Sequence, residues 1–353
     1  VANSWSFPAD NEPTDHGTTA YGQSTTGNRK PEIGNRKPET GNRKPETGNR
    51  KPETGNIHPG VKRVGLLMLP AVFGASVYQL NILIGTLLAS LLPEGSVSYL
   101  YYADRLVQFP LGIFAVAAAT AVMPSLSRQA AAKDFDALGD TFAYAMRLIL
   151  FITIPAMMGL IVLREPIVAL LFKRGAFDAQ TTRLTAYALL CYSVGLWAFS
   201  AVRIIVSTFY ALQDTKTPTK MAVISIIANI ILGIILMGPM SHGGLALSTS
   251  LASMLNLGLL THALRSKLGS LKWKNILKSA CKSVLCSVIM GFIVWIIAFL
   301  IFSPEDHTFF GLFSRITVSI ISGTVLYGFF SFLTKSRELQ EVLAAAGKGV
   351  KKW

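Results

Sequence analysis

Ionisable and metal-binding side chains are scarce in this sequence. Of 353 residues, 15% are charged, five are histidine and three are cysteine. Cys191, Cys281 and Cys286 have no metal-ligand spacing and are too few for a disulfide framework. They read as small buried hydrophobes. His16, His58, His242, His262 and His307 are scattered along the chain. HExxH, P-loop and GxSxG motifs are all missing, as is a pair of membrane aspartates, so no enzyme class finds its machinery here. Catalytic residues, a metal and a cofactor are therefore not expected. Gly243-Gly244 fits a helix boundary without any phosphate. Alternating ten-residue patterns are missing too, which excludes an outer-membrane barrel.

What is present is hydrophobic sequence. Apolar residues make up 51% of the chain and mean hydropathy is +0.46. Runs of about twenty apolar residues follow one another, the mark of an all-α polytopic membrane protein. The formal net charge is +14, yet residues 1–60 hold eight Lys/Arg against seven Asp/Glu. Nearly the whole excess thus falls on the apolar part, where it marks cytoplasmic loops and not a nucleic-acid partner.

Residues 1–60 differ from the rest. GNRKPEI is followed by three copies of GNRKPET. A seven-residue period suggests a coiled coil, but each copy contains proline and lacks an apolar pair, which rules that out. The composition is that of a disordered low-complexity tail. The chain begins at Val1 and shows no signal peptide before its first span, as in a processed or truncated product.

From residue 61 onward about eight spans are expected, at residues 64–92, 96–123, 142–163, 184–212, 221–237, 245–264, 276–302 and 309–333. Pro70 with Gly74 should interrupt the first, and Pro155 with Gly159 the third. Lys and Arg follow spans two, four, six and eight, whereas the loops after one, five and seven have none. Only Arg164, Lys173, Arg174 and Arg183, after span three, run against this pattern. Both ends of the membrane region are therefore expected in the cytoplasm.

The second span carries the most informative residues. Asp104 and Arg105 sit in an otherwise apolar run, with Arg105 about 14 Å into a helix that starts near Ser96. A cation at that depth needs a partner or a wet cavity. One reading is a structural Asp–Arg pair that locks helices together. The other is a cavity wall, because Ser98, Tyr101, Tyr102, Arg105, Gln108 and Gly112 share one helical face. Arginine suits an anionic ligand because its planar fork grips phosphate bidentately. Asp104 would then orient or neutralise it. Arg203, near the cytoplasmic end of span four, fits either ligand contact or snorkelling to the interface. Gln79, Asn81 and Thr86 form a weaker stripe, while Asn229 and Asn256 read as interhelical hydrogen-bonding residues.

Several segments carry a family resemblance: SYLYYADRLVQFPLGIF, then PSLSR, LLFKRGAFDAQTTRLTAYALLCYSVGL and FYALQDTKTPTK. Together they resemble the MurJ/MviN family of lipid II flippases, within the multidrug/oligosaccharidyl-lipid/polysaccharide exporter superfamily. The resemblance implies a protein of the bacterial cytoplasmic (inner) membrane that carries the undecaprenyl-pyrophosphate-linked peptidoglycan precursor across by alternating access. It also implies fourteen helices in two lobes around a cationic cavity, of which this chain resembles helices seven to fourteen. Residues 61–266 would be the second lobe, and residues 267–353 two further helices that form a lipid-tail groove, plus a basic C-terminus. Asp104, Arg105, Gln108, Ser98 and Arg203 would bind substrate. Some relatives have Glu where this chain has Gln108, and an acidic residue where it has Gly85. The implied partners are lipid II, membrane lipids and a separate first-lobe polypeptide. Two alternatives stay open: another polysaccharide-lipid flippase or cation/drug antiporter of the superfamily, and a non-transporting membrane remnant.

Overall fold

Within hydrocarbon there is no water to bond a peptide group, so a spanning segment must satisfy its backbone internally. The computed structural model describes residues 79–269, 272–301 and 309–341, and every regular element among them is helical. In order these are α1 (Gln79–Ser90), α2 (Ser96–Pro110), a π-helical turn (Leu111–Val116), α3 (Ala117–Ala131), α4 (Phe135–Val162) and α5 (Arg164–Phe172). There follow α6 (Ala179–Ser193), α7 (Leu196–Ala211), α8 (Lys216–Met240), α9 (His242–Leu268), α10 (Trp273–Ile301) and α11 (Phe309–Leu333).

Six of the described helical segments are long and apolar enough to cross a membrane, and the bent pair α6–α7 makes a seventh. These correspond to the second through eighth expected spans. Of the first, only α1 lies among the described residues. Pro70, Gly74 and the repeat tail lie outside them.

Side-chain chemistry sets several helix ends. Asp134 caps α4 by accepting a 3.0 Å bond from the Ala137 N–H, and Asp178 caps α6 by accepting from the Thr181 N–H at 2.8 Å. These bonds satisfy donors that a helix start leaves open. The same backbone bond from Thr181 holds the exposed Asp178 carboxyl below the usual carboxylate range. Pro155 does not break the third span as expected, for α4 runs uninterrupted from Phe135 to Val162. A bend of 43° occurs instead between α6 and α7. There the Ser250 hydroxyl donates to the carbonyls of Cys191 and Tyr192 at 2.7 and 3.3 Å. A Cβ on Gly195 would lie 2.8 Å from Ser250 Cα, so only glycine allows α9 this close to the bend.

The main core is built from Leu126, Leu138, Phe142, Ile149, Leu189, Ile204, Phe209, Leu260 and Leu264, all fully buried. Asn229 donates to Asn81 at 3.0 Å and accepts from Ser248 at 3.0 Å, joining α8 to α1 and α9. Asn229 is thus an interhelical bonding residue, as its lone polar position in an apolar helix suggests. A smaller core of Phe151, Leu163, Cys286, Met290, Val294 and Tyr327 seats the α10–α11 hairpin on α4, and the Tyr327 hydroxyl donates to the Phe151 carbonyl at 2.8 Å. Just past α11, buried Glu338 pairs with Arg147 at 3.4 Å and accepts from Ser279 at 2.8 Å. Between α7 and α8, burial works against ionisation of Asp214, but Lys267 and Thr217 bond its carboxylate and hold its pKa at about 2.

Candidate functional site

α2 presents two unlike sides. Leu100, Ala103, Val107 and Leu111 are buried against the bundle, and α6 is its main neighbour. Ser98, Tyr101, Arg105, Gln108 and Gly112 are exposed on the other side, with Tyr102 and Asp104 half-buried at its margin. The Tyr101, Arg105, Gln108 and Gly112 part of the polar stripe therefore faces away from the rest of the described bundle, while its Ser98 and Tyr102 end borders the α5–α6 loop.

Asp104 and Arg105 do not pair directly: no ion pair within 4.0 Å joins them among the described residues. Neighbouring positions on a helix point about 100° apart, so the two side chains diverge. Gln108 lies one turn on from both and connects them. The Arg105 Nη1 donates to Gln108 Oε1 at 3.2 Å, and Gln108 Nε2 donates to Asp104 Oδ2. The Arg105 guanidinium also lies 4.8 Å from the centre of the Tyr101 ring, a cation–π contact from one turn earlier. Asp104 therefore acts on Arg105 through an amide that both donates and accepts. Only part of the guanidinium fork is used, so its remaining donors are open to an anion.

Arg203 lies exposed on α7, with no hydrogen bond or ion pair among the described residues, and no contact brings it to Ser98, Asp104, Arg105 or Gln108. Ser98 lies elsewhere on the stripe, lining an open cleft of about 420 Å³ at the end of the bundle where α2 begins. The far wall comes from the end of α5 and the loop before α6, through Phe172, Arg174 and Phe177, and Thr181 closes it. Tyr102 meets Phe172 and Phe177 with ring centres 4.8 and 5.6 Å apart. Sequence spacing missed these loop residues. The available signal was KRG flanked by two phenylalanines, in the one loop whose charges ran against the orientation pattern.

The family model for "Lipid II flippase MurJ" matches residues 42–313. A probable lipid II flippase MurJ of Vibrio cholerae is 43% identical over 210 residues, covering 58% of this chain and 39% of that protein. One of Rickettsia prowazekii is 35% identical over 274 residues, covering 76% of this chain and 52% of the relative. The chain thus spans about half or less of the length of these curated relatives. A solved structure, "Lipid II flippase MurJ, inward closed conformation", aligns with a TM-score of 0.63 at 28% identity, over 78% of this chain and 56% of that one.

Proposed function

Because the chain belongs to the lipid II flippase MurJ family, we propose that its 353 residues supply one lobe of a lipid II flippase. The other lobe comes from outside these residues. The observation that supports this best is the exposed stripe of Ser98, Arg105 and Gln108 on α2, an ionisable face inside a membrane-length helix that nothing in the described bundle covers. In lipid such a face is unfavourable, whereas against a second lobe it becomes one wall of a wet central cavity. Residues 61–266 belong to this lobe, and residues 267–353 supply two further helices, which provide a groove for the lipid tails, and a basic C-terminus. Arg105 binds the diphosphate of the peptidoglycan precursor, Gln108 and Asp104 position it, and Ser98 and Arg203 contribute polar contacts toward the two ends of the cavity. The protein is a transporter of the bacterial inner membrane. The test is growth of cells depleted of their own flippase. Co-expression of this chain with a six-helix first lobe from a relative restores growth, and failure of every such pairing overturns the reading.

Both ends of the membrane region face the cytoplasm in this reading, because the basic loops fall on that side. With the three native cysteines replaced by serine, single cysteines at Ser241 and Ser270 should label oppositely with an impermeant maleimide in intact cells. Labelling at Ser241 alone is expected. Labelling at both positions, or at Ser270 alone, overturns the orientation.

A further inference from the structure

We propose that the cleft between the start of α2 and the α5–α6 loop is a carbohydrate subsite, which takes the sugar bonded directly to the substrate's diphosphate. The inference rests on the flippase reading and adds a ligand class for the Ser98 end of the stripe and the aromatic residues beside it.

The position is the first argument. Ser98, Tyr102 and Arg105 follow one another along the same side of α2, so Tyr102 stands about 4.5 Å and Ser98 about 10 Å from Arg105 along the helix axis. A diphosphate held at Arg105 with its sugar end turned toward the start of α2 places its next covalent group, a single sugar ring, beside Tyr102 and Ser98. The cleft of about 420 Å³ opens at that place and has room for a ring of that size.

Its chemistry is the second argument. Pyranose rings present C–H-rich faces and polar edges, and aromatic faces with nearby hydroxyls match both. Tyr102, Phe172 and Phe177 are each half-buried and grouped around the cleft, with the two phenylalanine rings 6.0 Å apart. The Ser98 hydroxyl lines the same space and has no hydrogen-bond partner among the described residues. Aromatic residues of an interfacial belt point outward, one by one, at the headgroup level. Here three rings from two separate segments instead converge on one concavity.

The experiment measures binding of two probes to the full chain in lipid nanodiscs: lipid II, and undecaprenyl pyrophosphate, which lacks the sugars. Phe177→Leu keeps apolar bulk and removes the ring. It should weaken lipid II binding about ten-fold while changing undecaprenyl pyrophosphate binding by less than about two-fold. Phe177→Tyr should restore wild-type affinity, and Ser98→Ala should repeat the selective loss in smaller measure without disturbing the aromatic packing. Arg105→Ala should weaken both probes alike. Equal loss of both probes in Phe177→Leu marks a packing role and overturns the subsite. So does unchanged lipid II binding, or equal affinity of the unaltered chain for the two probes. If the unaltered chain binds neither diphosphate lipid, the subsite is overturned, whereas the flippase reading stands or falls on growth of cells that also express a first lobe.

Discussion

Arg105→Ala is expected to abolish transport of lipid II in any assembled two-lobe protein while leaving membrane insertion intact. The guanidinium is held by Gln108 on one side and the Tyr101 ring on the other, so it is pre-aimed. Removing one partner of a desolvated, hydrogen-bonded charge pair costs about 2–5 kcal/mol, or at least roughly thirty-fold in binding. Arg105→Lys should rescue only in part, because an ammonium is a point charge that reaches neither Gln108 nor a diphosphate in the same geometry. Transport is read from exposure of lipid II at the opposite leaflet, and insertion from the membrane fraction. Normal transport by the alanine variant would make the stripe structural and remove the basis for the site.

The chain expressed and reconstituted alone should insert into liposomes without flipping lipid II. Alternating access requires two bodies that rock around a central site, and in the proposed reading the described helices form one wall of it. Alone, the face of Ser98, Arg105 and Gln108 meets lipid, where an exposed cation is unfavourable by about 2.5–3.5 kcal/mol or more. Self-association offers a second Arg105 to the same cavity and leaves the opposite wall unlike that of a first lobe. Flipping by the purified chain at the rate of a full-length relative would overturn the half-transporter reading and call for a cavity built within these residues.

Hydropathy located the spans well and their ends poorly, for a physical reason. A bilayer selects apolar length, whereas caps and hydrogen bonds end a helix, so α4 begins at Phe135 behind its Asp134 cap, well before the expected residue 142. Residue type alone does not identify a helix break. Pro155 sits inside an intact helix, while the bend at Gly195 depends on Ser250, which arrives from α9 fifty-five positions later in the sequence. Within one helix, spacing sufficed: period 3.6 placed Ser98, Arg105 and Gln108 on one side, and the exposed residues lie there. The same rule, applied to Asp104 and Arg105, would have excluded their direct pairing and pointed to Gln108. The cleft was not legible, because its two walls come from segments some seventy residues apart whose approach depends on the packing of α2 and α5 against α6.

The widened turn after Pro110 has a genetic corollary. At 100° per residue, eighteen residues make five whole turns, so in an unbroken α-helix Leu126 would lie directly below Gln108. Yet Gln108 is exposed and Leu126 is fully buried. The π-helical residues Leu111–Val116 wind one extra residue into the helix and so swing everything after them around the axis. Loss of a single codon within that stretch would remove one side chain and keep the reading frame. It would let the turn close to ordinary α geometry and, because the residue lost is the extra one, would leave Leu126 in the core and Arg128 on its present side. Loss of a codon between that stretch and Leu126, with the wide turn kept, would instead swing both about 100° round the axis. In this helix, the position of a side chain depends as much on the count of residues before it as on their kind.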